Sequence, residues 1–135
     1  MLIESLSSVS MGAALIGFIT LLGASVALMN NMLVSVTERT REIGTRKALG
    51  ANQRIIVLQF LAEAILVSLI GGLLGTILGL AVGNGMAVVM NSPAVFPIQW
   101  MILALVVSVL VGIISGWYPA RQASRLDPIE ALRYE

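Results

Sequence analysis

The sequence TERTREIGTRKALGANQ, at residues 37–53, is the only dense run of charged residues in the chain. Residues 5–37 on one side of it carry no Asp, Glu, Lys or Arg, and neither do residues 64–120 on the other. This pattern predicts that water surrounds the run, which we name the charged segment, and that lipid surrounds the regions flanking it.

The composition supports a membrane protein. The 135 residues are 58% hydrophobic and 11% charged, against about 25% charged in a typical soluble domain. The chain has no Cys, which excludes disulfides and thiolate chemistry, and no His, the commonest general base and metal ligand. We therefore predict no catalytic residue and no metal site.

Three regions are predicted to cross the membrane as helices, at residues 11–34, 55–83 and 99–118. A helix over residues 11–34 is about 36 Å long, which exceeds the roughly 30 Å hydrocarbon core. Trp100 and the Trp117–Tyr118 pair mark the two interfaces of the third span. Pro93 and Pro97 predict a turn within residues 84–98, and Pro119 predicts the end of the third span.

The positions of the basic residues predict the orientation. All eight Lys and Arg lie within residues 39–54 or 121–133, and residues 84–98 carry no charge. The positive-inside rule places residues 39–54 and 121–133 in the cytoplasm, and residues 84–98 and the N-terminus outside. Residues 119–135 form a second cytoplasmic element, in which Asp127 is predicted to cap a short helix, with Glu130 reaching back.

The charged segment itself is predicted to be a short helix outside the membrane. Glu42 and Arg46 are spaced as a helical ion pair, and Gly50 stands where a C-terminal glycine ends a helix, with Asn52 able to cap the next one. Charges of both signs and a small apolar face suit docking of a protein. The alternative is a positive-inside loop that only fixes orientation.

Two stripes of small residues are predicted to serve helix packing. Gly71, Gly75, Gly79 and Gly83 recur every four residues, and so do Ser108, Gly112 and Gly116 in the third span. Such spacing lets helix backbones approach closely, and we expect the two stripes to meet. The alternative for the glycines is a flexible, kinked span.

Glu63 is the one ionisable residue that enters the second apolar region. It is either a proton-coupling carboxylate or a group at the cytoplasmic edge of the membrane. The edge is the favoured interpretation, because the uncharged stretch begins directly after it at Ala64.

Two long motifs resemble one family. VSVTERTREIGTRKALGAN, at residues 34–52, and YPARQASRLDPIEALRYE, at residues 118–135, resemble the corresponding motifs of MacB/FtsX-type ABC transporter permeases. The resemblance implies a contact with a nucleotide-binding ATPase subunit. The residues that would form this contact are Glu38, Arg39, Arg41, Glu42, Ile43, Arg46, Lys47 and Leu49.

Further expectations follow from the resemblance. ATP and Mg²⁺ would bind the partner subunit, since no G-x-x-x-x-G-K-[ST] motif is present here. The expected partners are that ATPase, a second permease half and membrane lipids, with no nucleic acid, in the cell (inner) membrane of a bacterium or archaeon. The family's permeases usually have four transmembrane helices, with a large outer domain between the first and second; this chain resembles the last three.

The expected function is export, or mechanical transmission of ATP-driven motion across the membrane. Three alternatives remain open at the level of sequence: a non-transporting ABC regulator of an extracytoplasmic hydrolase, a truncated structural membrane fragment, and a proton-linked transporter with Glu63 as its acid. Nothing in the sequence identifies a substrate.

Overall fold

The computed structural model describes residues 2–127, 129 and 131. This part of the chain contains four α-helices and no strand: α1 (Leu2–Glu38), α2 (Thr40–Ala48), α3 (Gln53–Val89) and α4 (Ile98–Arg125). α1, α3 and α4 are long and apolar enough to cross a membrane, and the short α2 joins the first of them to the second. The predicted all-α membrane fold is confirmed.

α3 and α4 form an antiparallel pair that packs through small residues. Gly116 lies opposite Ala64, Gly112 opposite Ser68, and Ser108 opposite Gly72. A Cβ added to Gly116 would come within 2.5 Å of the Ala64 Cβ, and one added to Gly112 within 3.0 Å of the Ala64 carbonyl oxygen. The absence of side chains on these glycines therefore sets the separation of the two helices.

α4 also packs against α1, and hydroxyl groups join it to both neighbours. The hydroxyls of Ser25 in α1 and Ser115 in α4 are 2.6 Å apart and share a hydrogen bond. The Ser108 hydroxyl donates to the backbone carbonyl of Ser68 in α3. Side-chain hydrogen bonds of this kind contribute about 0.6 kcal/mol each in membrane proteins, less than the packing that they orient.

The buried core lies at one end of the bundle, the end that carries α2. Its members come from all four helices: Met32, Val36, Ile43, Ile56, Phe60, Ala64, Ala120 and Ala123. Large apolar side chains along the remaining lengths of α1 and α3, such as Phe18 and Leu78, are exposed. Lipid is the natural solvent for those surfaces, because an exposed apolar face of this extent is unfavourable in water.

The predicted contact between the two small-residue stripes is wrong within this chain. Nothing lies within 4 Å of a Cβ built on Gly71, Gly75, Gly79 or Gly83. The α3 residues that meet Ser108, Gly112 and Gly116 are Gly72, Ser68 and Ala64. The contacting residue Gly72 is one residue from Gly71, which corresponds to about 100° of rotation in a helix of 3.6 residues per turn. The four glycines therefore make no direct contact with α4, although Gly79 and Gly83 line a cavity together with Trp100 and Ala104 of α4.

Pro119 does not end α4, which continues to Arg125. Proline removes one backbone hydrogen bond and normally interrupts a helix. Here the following turn is held by packing, because Ala120 and Ala123 are fully buried in the core with Ile56 and Phe60. Arg121 and Arg125 consequently belong to the third long helix and not to a separate terminal element.

The end of α3 and the residues that follow α4 also bear on the predicted boundaries. α3 continues to Val89, so only residues 90–97 connect it to α4, not 84–98. Asn91 ends α3 with a φ of 53°. After α4, the Asp127 carboxylate accepts from the backbone N–H of Ile129 at 2.9 Å, as a helix cap does. Pro128 and Glu130, the other residues of the predicted cap, lie outside the described residues.

Candidate coupling surface

α2 follows α1 with one intervening residue. Arg39, with φ −98° and ψ 13°, separates the two helices. Backbone hydrogen bonds continue across it, from Arg39 N–H to Ser35 and from Ile43 N–H to Arg39, both at 3.0 Å. The Thr40 hydroxyl also donates to the carbonyls of Val36 and Thr37. These hydrogen bonds leave few backbone torsions free at the junction between α1 and α2.

The other end of α2 is a Schellman turn. Gly50 has a φ of 96°, the left-handed region that favours glycine, as predicted for the residue that ends this helix. Its N–H donates to Lys47, and the N–H of Ala51 donates to Arg46, both at 3.0 Å. Asn52 follows in an extended conformation as the N-cap of α3, although its side chain makes no cap hydrogen bond.

The inner side of α2 is fixed to the bundle by Ile43. Its side chain is 4% exposed and belongs to the core with Val36, Ile56 and Phe60. Gly44 beside it is buried as well. The expectation that Ile43 contacts a partner protein is therefore wrong for this conformation, because Ile43 is the anchor that holds α2 against α1 and α3.

Three basic side chains reinforce this attachment. Arg39 pairs with Glu63 of α3 at 3.4 Å, and Arg46 donates to Gln59 of α3 and to Glu42 of α2. The Lys47 ammonium donates to the carbonyl oxygen of Leu126, beyond the end of α4, at 2.5 Å. α2 is thus continuous with α1, bonded to α3 and bonded to the end of α4. Glu63 has a partner in the charged segment, as a group at the membrane edge would.

The opposite side of α2 is exposed. We name it the outer face, and its residues are Glu38, Arg41, Thr45, Ala48 and Leu49. Arg41, Thr45 and Ala48 recur at intervals of four and three and therefore share one side of α2, while Glu38 ends α1 and Leu49 directly follows α2. Leu49 is 83% exposed although it lies outside the long apolar helices. A single exposed leucine is ordinary on a protein surface, so the outer face is a candidate for protein binding because it combines Leu49 with the exposed charges of Glu38 and Arg41.

The eight residues predicted for partner contact fall into two groups. Glu38, Arg41 and Leu49 lie on the outer face. The other five contact the chain itself: Ile43 is buried in the core, and Arg39, Glu42, Arg46 and Lys47 make hydrogen bonds or ion pairs. Thr45 and Ala48 were missed, although their spacing from Arg41 was a usable signal. No group of three or more His, Cys, Asp or Glu that would hold a metal ion occurs among residues 2–127, 129 and 131.

Residues 14–128 match the model of the C-terminal domain of FtsX-like permeases. The chain belongs to this family. The FtsX-like match covers most of α1, the charged segment, α3 and the whole of α4, and so includes all residues of the coupling surface described above.

Relatives of this FtsX-like chain include longer proteins. It is 52% identical over 128 residues to the macrolide export ATP-binding/permease protein MacB of Bdellovibrio bacteriovorus, covering 95% of this chain and 20% of that protein. It is 48% identical over 121 residues to the ABC transporter permease YknZ of Bacillus subtilis, covering 87% of this chain and 30% of that protein. The chain therefore spans less than a third of the length of these relatives.

Proposed function

We propose that this chain is the transmembrane coupling part of an ABC transporter permease of the MacB/FtsX type. In this role the outer face of α2 binds a nucleotide-binding ATPase, and the three long helices carry the resulting motion across the membrane. The observation that carries the proposal is the attachment of α2 to all three long helices beneath an exposed face on which Leu49 is 83% exposed.

The proposed mechanism is mechanical. ATP binding closes the ATPase dimer and displaces α2 along its outer face. Because Ile43 and the Arg46–Gln59 hydrogen bond fix α2 to α3, and the one-residue junction at Arg39 fixes it to α1, the helices tilt with it. The hydroxyls of Thr20, Ser68 and Thr76 bond to carbonyls of their own helices, so they do not form a polar conduit.

We assign ATP and Mg²⁺ to the ATPase. MacB of Bdellovibrio bacteriovorus is named for ATP binding and permease together, whereas YknZ is named a permease alone. No phosphate-binding lysine motif occurs in these 135 residues, so the proposed nucleotide site lies outside them.

The orientation and the second permease half belong to the same proposal. The basic residues of α2 and of the end of α4 face the cytoplasm by the positive-inside rule, in the cell membrane of a bacterium or archaeon. The open stripe of Gly71, Gly75, Gly79 and Gly83 receives a helix from outside this chain, and we assign it to the second permease half, in a homodimer or heterodimer.

The test compares the outer face with the intrachain attachments. The permease is co-expressed with candidate ABC ATPases from its own genome, and co-purification and permease-stimulated ATP hydrolysis are measured. Arg41→Glu and Leu49→Ser should abolish both, since they alter the binding face. Arg46→Ala should retain co-purification but reduce stimulation, since it removes the hydrogen bond to Gln59 that transmits the displacement.

The matched control is Gln99→Glu, which adds a charge of the same sign at the opposite end of the bundle, in the first turn of α4. It should leave both quantities unchanged. Full co-purification and stimulation in the Arg41→Glu, Leu49→Ser double variant would show that α2 is not the coupling surface.

A further inference from the structure

A second basic site lies beside α2, in a cavity of about 520 Å³ between the start of α3 and the end of α4. Three arginines, one aromatic and two aliphatic side chains line it: Arg54, Arg121, Arg125, Trp117, Val57 and Leu58. Its volume lies within the range of small-molecule sites. None of the residues assigned to the coupling mechanism lines this cavity.

The three arginines are free to bind an anion. Their guanidinium groups form no ion pair or hydrogen bond with any residue within 2–127, 129 and 131, whereas Arg39, Arg46 and Lys47 of the charged segment all do. No carboxylate lines the cavity in that part of the chain. Arginines on different helices that face one unneutralised space repel each other, and an oxyanion relieves that repulsion.

The start of α3 adds to the positive potential. Gln53, the first residue of this helix, also lines the cavity, and Asn52 before it supplies no side-chain cap. The first turn of α3 contains no acidic residue. Uncapped backbone N–H groups at a helix start carry partial positive charge, which favours a phosphate nearby.

The position of the cavity relative to the apolar surface indicates which phosphate binds. Leu58 is 65% exposed and Trp117 is 52% exposed, so both lie on the outer surface of helices that cross the membrane. Each stands four residues from an arginine of the site, Leu58 from Arg54 and Trp117 from Arg121, which is about 6 Å along a helix. The cavity therefore joins a basic end to a lipid-facing apolar surface.

We propose that this cavity binds the phosphodiester headgroup of an anionic phospholipid, such as phosphatidylglycerol. The three arginines hold the phosphate, and the acyl chains lie along Leu58 and Trp117. Zwitterionic lipids share the phosphate but carry a cation that the arginines repel. Basic residues at a membrane surface contribute about 1 kcal/mol each to binding of anionic lipid, which corresponds to about a fivefold change in affinity per arginine.

The test uses Trp117 as a local reporter. The chain contains two tryptophans, so Trp100→Phe leaves Trp117 alone. This protein is reconstituted in phosphatidylcholine vesicles containing a minor fraction of either phosphatidylglycerol or phosphatidylcholine that is brominated near the carbonyl end of its acyl chains. We expect brominated phosphatidylglycerol to quench Trp117 with at least fivefold higher apparent affinity than brominated phosphatidylcholine.

Variants locate the binding. Arg121→Gln combined with Arg125→Gln should reduce the preference for phosphatidylglycerol about 25-fold, and Arg54→Gln alone should reduce it about fivefold. Arg41→Gln is the matched control, because it removes an exposed arginine of α2 outside the cavity and should leave the preference unchanged. Circular dichroism verifies folding; if the double variant does not fold, Arg54→Gln carries the same test.

A final arm separates lipid from soluble phosphate. Millimolar inorganic phosphate should leave quenching by brominated phosphatidylglycerol intact, because the acyl chains add binding that phosphate lacks. Displacement of the lipid by inorganic phosphate would assign the site to a soluble phosphate and overturn the proposal. Equal quenching by the two lipids, or a preference retained without the arginines, would overturn it as well. These results are independent of whether α2 binds an ATPase.

Discussion

Gly116 of α4 lies so close to Ala64 of α3 that a Cβ on the glycine would stand 2.5 Å from the alanine Cβ. Ala64 is fully buried, and a backbone-bound methyl group has no rotamer by which to move away. The contact lies directly beside the core that holds α2, so the separation of α3 and α4 at this level decides how firmly α2 is seated.

The first prediction compares two glycines of different surroundings. Gly116→Ala should lower the free energy of unfolding by about 1–3 kcal/mol, the usual cost of overpacking. Gly75→Ala should not destabilise the isolated chain, because nothing lies within 4 Å of its added Cβ and alanine is the better helix former. Unfolding by denaturing detergent, followed by circular dichroism, measures both. Equal losses in the two variants would contradict the packing described for α3 and α4.

The second prediction concerns the ion pair between Arg39 and Glu63. Both side chains are more than 40% exposed, so their coupling energy in a double-mutant cycle of Arg39→Gln and Glu63→Gln should lie below about 1 kcal/mol. Glu63→Gln should also leave the pH dependence of stimulated ATP hydrolysis unchanged. A pH dependence lost with the carboxylate would instead favour the proton-coupling alternative.

The third prediction concerns the turn that ends α2. Gly50→Ala should destabilise the protein by about 1–2 kcal/mol, because an L-residue at a φ of 96° is strained by its Cβ. Thermal unfolding in detergent measures the difference. Gly23→Ala is the control, since that glycine has an open environment and no positive φ. An unaltered unfolding temperature in Gly50→Ala would show that the positive φ at residue 50 is not required for stability.

The fourth prediction tests orientation. Because the chain has no Cys, a single introduced thiol reports its own side of the membrane. Ser92→Cys, in the connection between α3 and α4, should react with an impermeant maleimide in intact cells, whereas Thr45→Cys on the outer face of α2 should react only after the membrane is opened. The reverse pattern would place α2 outside and remove it from contact with an ATPase.

The three long apolar helices followed from the sequence because charge and hydropathy alone separate lipid from water. The turn at Gly50 was also predictable, since a left-handed position selects glycine locally. The pairing of the two small-residue stripes was not predictable from the sequence. Gly71 and Gly72 are adjacent, and small residues recur every four positions on the face through Gly71 and also on the face through Gly72. Only the position of Ala64 and Ser68 against α4 decides between them.

Residue roles within the charged segment were predicted less well than its existence. Charge density cannot distinguish Arg41, which is exposed, from Arg46, which bonds to Gln59. Likewise, the propensity of proline predicted an end at Pro119, but burial of Ala120 and Ala123 outweighed it. Both differences have one origin, because tertiary packing at this end of the bundle acts on residues that are distant in sequence.

The location of the core at one end of the bundle leaves most of α1 as a long lever arm. α1 is held by Met32 and Val36 near its last turns, and a helix from Met32 back to Leu2 is about 45 Å long. In the proposed mechanism, a tilt of α1 by about 5° about these contacts would move the start of the helix by about 4 Å. A small displacement of α2 would then produce a larger displacement at the other end of α1.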